Sequence, residues 1–125
     1  MNSSKPNDQR RFKRFNVKEG AFAVLRNGDS KIGQLIDISR GGLGLRYINE
    51  EDGSDEFFEL DIFLTNEGFY IKRVPFQTVS DFEVTIQHPN QMVLMRRRGV
   101  QFGELSLKQI SHLEFFIHNY TTPNT

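Results

Sequence analysis

Residues 21–47 read AFAVLRNGDSKIGQLIDISRGGLGLRY, and this stretch decides the fold class. Ala21 to Leu25 is a short apolar run. Asn27-Gly28-Asp29 is a turn signal, because these residue types tolerate the backbone angles of a tight reversal. Lys31 to Ile38 follows with near-alternation at Ile32, Gln34 and Ile36, so the two runs predict a β-hairpin. Gly41-Gly42 punctuates, and Leu43 to Tyr47 predicts a further strand.

The pattern continues downstream. Phe57 to Leu64 (FFELDIFL) alternates, with Phe58, Leu60, Ile62 and Leu64 on one face and Glu59 and Asp61 on the other. Asn66-Glu67-Gly68 predicts a hairpin turn. Phe69 to Val79 and Phe82 to Ile86 read as two more strands, His88-Pro89-Asn90 as a turn, and Met92 to Phe102 as the last strand. Many short strands joined by Gly and Asn turns predict an antiparallel barrel or sandwich. The period then changes. Ser106 and Gln109 form a capping-box signature, and Leu107, Ile110, Leu113, Phe116 or Ile117, and Tyr120 recur at helical spacing. One amphipathic helix of roughly four turns is expected to close the chain and pack on the barrel. Thr121 to Thr125 reads as a frayed end.

With 125 residues the chain has the length of one domain. It contains no Cys, which excludes a disulfide framework, a thiolate metal site and a cysteine nucleophile. No apolar run approaches the roughly 20 residues of a membrane span, and MNSSKPNDQRR lacks the apolar stretch of a secretory signal. A cytoplasmic protein without membrane insertion is expected. Residues 1–9 are polar and read as a flexible tail, with a single domain over 10–125, its barrel about 15–103 and its helix about 106–120.

The formal net charge is 0, but the charge is segregated. Residues 1–20 carry six basic side chains against Asp8 and Glu19, and residues 50–70 carry eight acidic ones and no basic one. A neutral chain with a basic arm predicts a local anion site, not a surface that coats a nucleic-acid polymer. His112 and His118 are six apart on the expected helix, off the i,i+4 stripe a metal pair needs. The acidic stretch lacks calcium-loop spacing. No P-loop, no Gly-x-Ser-x-Gly and no His-paired nucleophile is present, so neither a metal, a cofactor nor an enzymatic activity is expected.

Two stretches carry the chemistry. Arg10-Arg11-Phe12-Lys13-Arg14 precedes the first strand. Its bland reading is a solvated basic tail; its functional reading is a grip in which arginine forks meet phosphate oxygens or the O6 and N7 of guanine. Asp37-Ile38-Ser39-Arg40-Gly41-Gly42 ends a strand. It reads either as a turn in which Asp37 and Ser39 bond the local backbone, or as a purine contact. In the second case the carboxylate accepts from a guanine's N1–H and exocyclic amine, the Ser hydroxyl adds one polar contact and Gly lets the ligand approach.

Together, Arg-x-x-x-Arg at Arg10 and Arg14, a β-hairpin, and Asp-x-Ser-x-x-Gly at Asp37, Ser39 and Gly42 resemble the PilZ domain family. The resemblance covers nearly the whole chain, through the Gly99-Val100-Gln101-Phe102 strand into the closing helix. It implies an all-β dominated fold, a six-stranded antiparallel β-barrel with one C-terminal α-helix. It also implies a non-catalytic receptor for the bacterial second messenger cyclic di-GMP. Arg10 and Arg14 would grip guanine edges and phosphates, Asp37 and Ser39 would hold a guanine, and Gly42 would keep the approach open. Arg11 would add a phosphate contact. Arg40 would face solvent or a phosphate, and one of Arg96, Arg97 and Arg98 would line the groove or none would. Gln9, before the first motif arginine, does not fix ligand stoichiometry.

The resemblance further implies that the ligand orders the N-terminal arm and that an unidentified downstream protein reads the result in motility, pilus or biofilm control. Ordering costs on the order of 1–2 kcal/mol per residue, which charged hydrogen bonds of about 1.5–3 kcal/mol each offset. One alternative is a PilZ-like protein–protein adaptor that does not bind the nucleotide. Another is a small barrel for single-stranded RNA, which needs more exposed aromatics between basic residues than Tyr47, Phe69 and Tyr70 supply.

Overall fold

A computed structural model describes residues 12–27, 30–48 and 58–123. Eight strands and one helix follow in the order β1 (Phe15–Val17), β2 (Ala21–Arg26), β3 (Ser30–Ile38), β4 (Gly42–Ile48), β5 (Glu59–Leu64), β6 (Tyr70–His88), β7 (Gln91–Phe102), α1 (Leu107–Tyr120) and β8 (Thr121–Pro123). The sheet order is β2-β5-β6-β7-β4-β3-β1-β8, and an additional β2–β3 pairing closes the first six of these into a ring. All pairings are antiparallel. The expected six-stranded barrel is therefore present, with β1 and β8 as a small annex.

The annex exists because β3 outruns β2. The first half of β3 pairs with β2 as far as Gln34, and its end is free to take β1 at Phe15↔Ile38 and Asn16↔Asp37. Thr121–Pro123 then adds to β1 as β8, so the first three residues of the end expected to fray are a paired strand, and 124–125 lie outside the described residues. No apolar alternation announces β1 or β8, since three-residue strands are too short to show a period.

Pleat alternation sends Leu43, Leu45 and Tyr47 of β4 and Leu60, Ile62 and Leu64 of β5 into the barrel. Each fully buried Leu or Ile contributes roughly 1.5–3 kcal/mol. Three expectations are corrected. On β3 the inward residues are Gly33 and Leu35, while Ile32 is 60% exposed. Gly33 sits against the Leu45 side chain, where a Cβ would come within 2.3 Å of Leu45 Cδ1. Phe58 precedes β5 and is exposed. The stretch 70–88 is one strand, not two: Ser80 and Asp81 stay paired with Gly99 and Arg98 of β7, and the irregularity is absorbed as a register shift between Thr78 and Ser80.

Helix α1 closes one end of the barrel. Ser106 Oγ accepts from Gln109 N at 3.1 Å and Gln109 Oε1 accepts from Ser106 N at 2.9 Å, the capping box expected from sequence. Leu113, Phe116 and Ile117 are buried; Leu107, assigned to the same stripe from its spacing, is 85% exposed because it lies in the first turn, beyond the rim. Phe116 meets Phe69 and Tyr120 with ring centroids 5.7 Å apart in both cases.

Beside the apolar core the barrel holds a charged one. Arg98 on β7 is 1% exposed. It donates to Asp81 Oδ2 at 3.0 Å, to the Tyr47 hydroxyl at 3.1 Å and to Thr78 Oγ1 at 3.2 Å. Arg96 joins from the same strand face, donating to Asp81 Oδ1 at 2.8 Å. Burial raises the Tyr47 pKa above the usual phenol value against the opposing pull of Arg98.

Candidate functional site

A bulge in β3 creates the site. Leu35 faces Leu45 and Asp37 faces Gly44, so Ile36 is an extra residue between them. Without it, Asp37 would share the inward face with Leu35. The bulge turns Asp37 to the outer wall and returns Ile38 to the core opposite Leu43.

Three arginines meet this carboxylate or stand beside it. Arg14, just before β1, donates from Nη1 to Asp37 Oδ1 at 2.8 Å. Arg97 Nη2 lies 3.6 Å from Asp37 Oδ2. Arg46 on β4 stands directly opposite Arg97, on the outer side set by the inward Leu45 and Tyr47. Arg46 donates to Gln34 Oε1 at 3.3 Å, while its Nε is buried without a hydrogen-bond partner among the described residues. Like charges directly opposed across two strands are unfavourable. One carboxylate among three guanidiniums leaves a wall that favours an anion.

Two glycines shape the floor, for different reasons. A Cβ on Gly44 would come 2.7 Å from Asp37 Oδ1, so the bare position lets the carboxylate lie flat against the wall. A Cβ on Gly42 would come 2.1 Å from the Val100 carbonyl oxygen, so Gly42 is required for β4 to approach β7. The glycine expected to keep a ligand path open is thus first a strand-packing residue. Gly44→Ala is expected to displace the Asp37 carboxylate and weaken binding that depends on it, with little change in melting temperature. Gly42→Ala meets backbone and is expected to cost about 1–3 kcal/mol in urea denaturation.

Ser39 organises the turn. Its hydroxyl accepts from Gly41 N at 3.1 Å and Gly42 N at 3.2 Å and donates to the Gly42 carbonyl at 3.3 Å. The local-backbone reading of the motif therefore describes Ser39, while Asp37 faces cations across strands. Arg40 is half exposed and reaches across to the helix. It forms a two-point ion pair with Glu114 of α1 and holds that carboxyl below its usual pKa. Phe12 lies over Gly41, at the edge of a groove of about 370 Å³ that continues to Leu105 and Ile110.

Of the sequence-predicted site residues, Arg14, Asp37, Ser39 and Gly42 are brought together. Arg10 and Arg11 lie outside the described residues, as do residues 49–57, which include five of the eight acids of the 50–70 stretch. Among the three consecutive arginines, Arg97 alone reaches the site, and Arg96 and Arg98 face Asp81 instead. Arg46 was not singled out from sequence, although the inward alternation of Leu43, Leu45 and Tyr47 marks it as outward-facing beside the motif.

The fold has known counterparts. The PilZ domain of YcgR from Escherichia coli, determined with c-di-GMP, superposes with a TM-score of 0.71 at 17% identity, covering 90% of this chain and 91% of that one. MrkH, described as a c-di-GMP-dependent transcription regulatory factor, superposes at 0.69 with 16% identity, over 90% of this chain and 51% of that one. The K. pneumonia MrkH–c-di-GMP complex gives 0.69 at 17% identity, and the chain spans about half of its length, 52%. No curated protein matches the chain in sequence. The model of the PilZ domain matches residues 8–119, which takes in both motifs, the whole ring of strands and nearly all of α1. This chain belongs to the PilZ domain family.

Proposed function

We propose that the chain is a cytoplasmic, non-catalytic receptor for cyclic di-GMP that signals to a protein partner in motility, pilus or biofilm control. One observation carries the reading: Arg14, Arg46 and Arg97 converge on the outer wall around a single carboxylate, Asp37, over the bare Gly44.

The chemistry fits a guanine nucleotide with two phosphates. Asp37 offers a carboxylate that matches the two adjacent donors of a guanine edge. Arg14 and Arg97 offer forks for O6 and N7 or for phosphate oxygens. Without ligand, Arg14 and Asp37 satisfy each other. The ligand replaces that pair with contacts to both, so neither group is left buried and uncompensated. Ser39 keeps the turn in the shape that presents Asp37 and Gly42. Arg10 and Arg11 add phosphate contacts as the ligand draws their segment to the barrel, and the surface so formed is what the partner reads. The YcgR and MrkH structures determined with c-di-GMP support the ligand.

The adaptor reading is favoured by one fact, that the Ser39 hydroxyl is already committed to backbone. Calorimetric titration decides between them. Saturable binding at micromolar concentration or below is expected for cyclic di-GMP and not for GTP or cyclic di-AMP. Absence of heat and of any thermal shift at high ligand concentration overturns the receptor.

A further inference from the structure

We propose that a second face, formed by Lys72, Arg73, Lys108 and His112 on the far flank of α1, docks an acidic segment of the partner protein. The proposal names the chemistry of the partner left open above, and it rests on that reading only for the upstream signal.

The face surrounds a cavity of about 510 Å³ whose lining includes these four side chains with Tyr70 and Gln109 and contains no carboxylate. Its cations are placed by a second bulge. Leu60 pairs with Val74 and Ile62 with Ile71, so Lys72 and Arg73 together oppose Asp61 alone. In a regular strand neighbouring side chains leave on opposite faces. Here both are exposed, and Arg73 holds φ at +58°, a left-handed backbone value that non-glycine residues rarely adopt. The conformation is held from both sides: Arg73 N donates to the buried Asp61 at 2.8 Å, and Gln109 Nε2 donates to the carbonyls of Lys72 and Arg73 at 2.9 and 3.0 Å. Neither Lys72 nor Lys108 is ion-paired among the described residues, and Arg73 has only the exposed Glu59 at 3.7 Å.

On α1, Lys108, His112 and Phe115 lie at i, i+4 and i+7, one stripe about 10 Å long. Phe115 is 51% exposed, stacked on Phe69 at 5.8 Å. The surface is cationic at one end and aromatic at the other, which complements a peptide with clustered carboxylates followed by an apolar side chain. A nucleic-acid backbone fits less well. The cations form a cluster and not a track, and Glu59, 3.7 Å from Arg73, stands at its edge, where continuing phosphates would be repelled. The opposite flank of α1 carries Glu114, bound to Arg40 of the ligand turn, so one helix touches both surfaces.

The test is an amide chemical-shift titration of the full chain with acetyl-Glu-Glu-Asp-Glu-Phe-Leu-amide, with and without cyclic di-GMP. A peptide carrying Lys in place of the acids and an oligothymidylate serve as comparison probes. Shifts are expected at Lys72, Arg73, Lys108, His112 and Phe115. Combined Lys72→Glu and Lys108→Glu should weaken the peptide about tenfold or more, and Lys108→Gln less, because charge reversal adds repulsion to the lost attraction. The melting temperature and the response to cyclic di-GMP should be unchanged in both variants. Shifts centred on Arg14 and Arg97, an affinity indifferent to charge reversal, or tighter binding of the oligothymidylate at this face would each overturn the proposal. Peptide binding that persists in a chain indifferent to cyclic di-GMP would sink the ligand reading and leave this one standing.

Discussion

Arg14→Ala is expected to weaken cyclic di-GMP binding by about 100-fold or more, with Asp37→Ala close behind. A charge-assisted hydrogen bond contributes about 1.5–3 kcal/mol, and Arg14 presents a fork able to make two. At about 1.4 kcal/mol per factor of ten, losing both exceeds two decades. The unliganded protein moderates this, because Arg14 already pairs with Asp37 at 2.8 Å and the ligand must displace that pair. Asp37→Ala removes the one carboxylate that, among the described residues, Arg14 and Arg97 face, and so strengthens general attraction for phosphate. It should lose discrimination for guanine more than affinity for anions: cyclic di-GMP weakens while the difference from cyclic di-AMP narrows. Calorimetry of the two single variants and the double variant measures the coupling directly. Wild-type affinity in Arg14→Ala would remove Arg14 from the site.

The sequence shows this fold wherever an element is long enough to carry a period. Leu43, Leu45 and Tyr47, or Leu60, Ile62 and Leu64, announce their strands, and Ser106 with Gln109 announces the helix start. What stays hidden depends on register. The bulge at Ile36 reverses which face Asp37 occupies, and no local composition signals it. The inward face of β3 is hidden for a different reason: Gly33 and Leu35 are less conspicuous than Ile32 and Ile36. At the site, the spaced motif shows Arg14, Asp37, Ser39 and Gly42, because each depends on residue type at a fixed offset. Arg46 and Arg97 come from strands distant in sequence and meet Asp37 only through the β3–β4 and β4–β7 ladders. In a run of three arginines, which one faces outward is fixed by pleat alternation against Val100 and cannot be judged from charge.

Asp81→Ala is expected to destabilise the fold by about 3–5 kcal/mol, because it removes the carboxylate that pairs with a guanidinium 1% exposed. Arg98 would lose the carboxylate at 3.0 Å, and the Tyr47 hydroxyl and Thr78 Oγ1 it also donates to are neutral. A neutral partner offsets little of the desolvation of a buried guanidinium. For a domain of this size the melting temperature should fall by on the order of 10 °C. Replacing both charges, Asp81→Leu with Arg98→Met, should recover most of the loss, since well-packed apolar groups in place of a buried pair are often nearly neutral. Thermal melting of the three proteins tests the account, and an Asp81→Ala variant melting within a degree or two of wild type would refute it. The network adjoins the ligand wall, because Arg98 points inward from the strand on which Arg97 points out. Ligand binding separates the two roles. Well below its melting temperature, Asp81→Ala should bind cyclic di-GMP within a few-fold of wild type, since Arg97 is positioned by its pairing with Arg46 on β4 and not by Asp81. Binding lost in step with Arg14→Ala would instead mean that the inner charge pair sets the register of β7 on which the outer arginine depends.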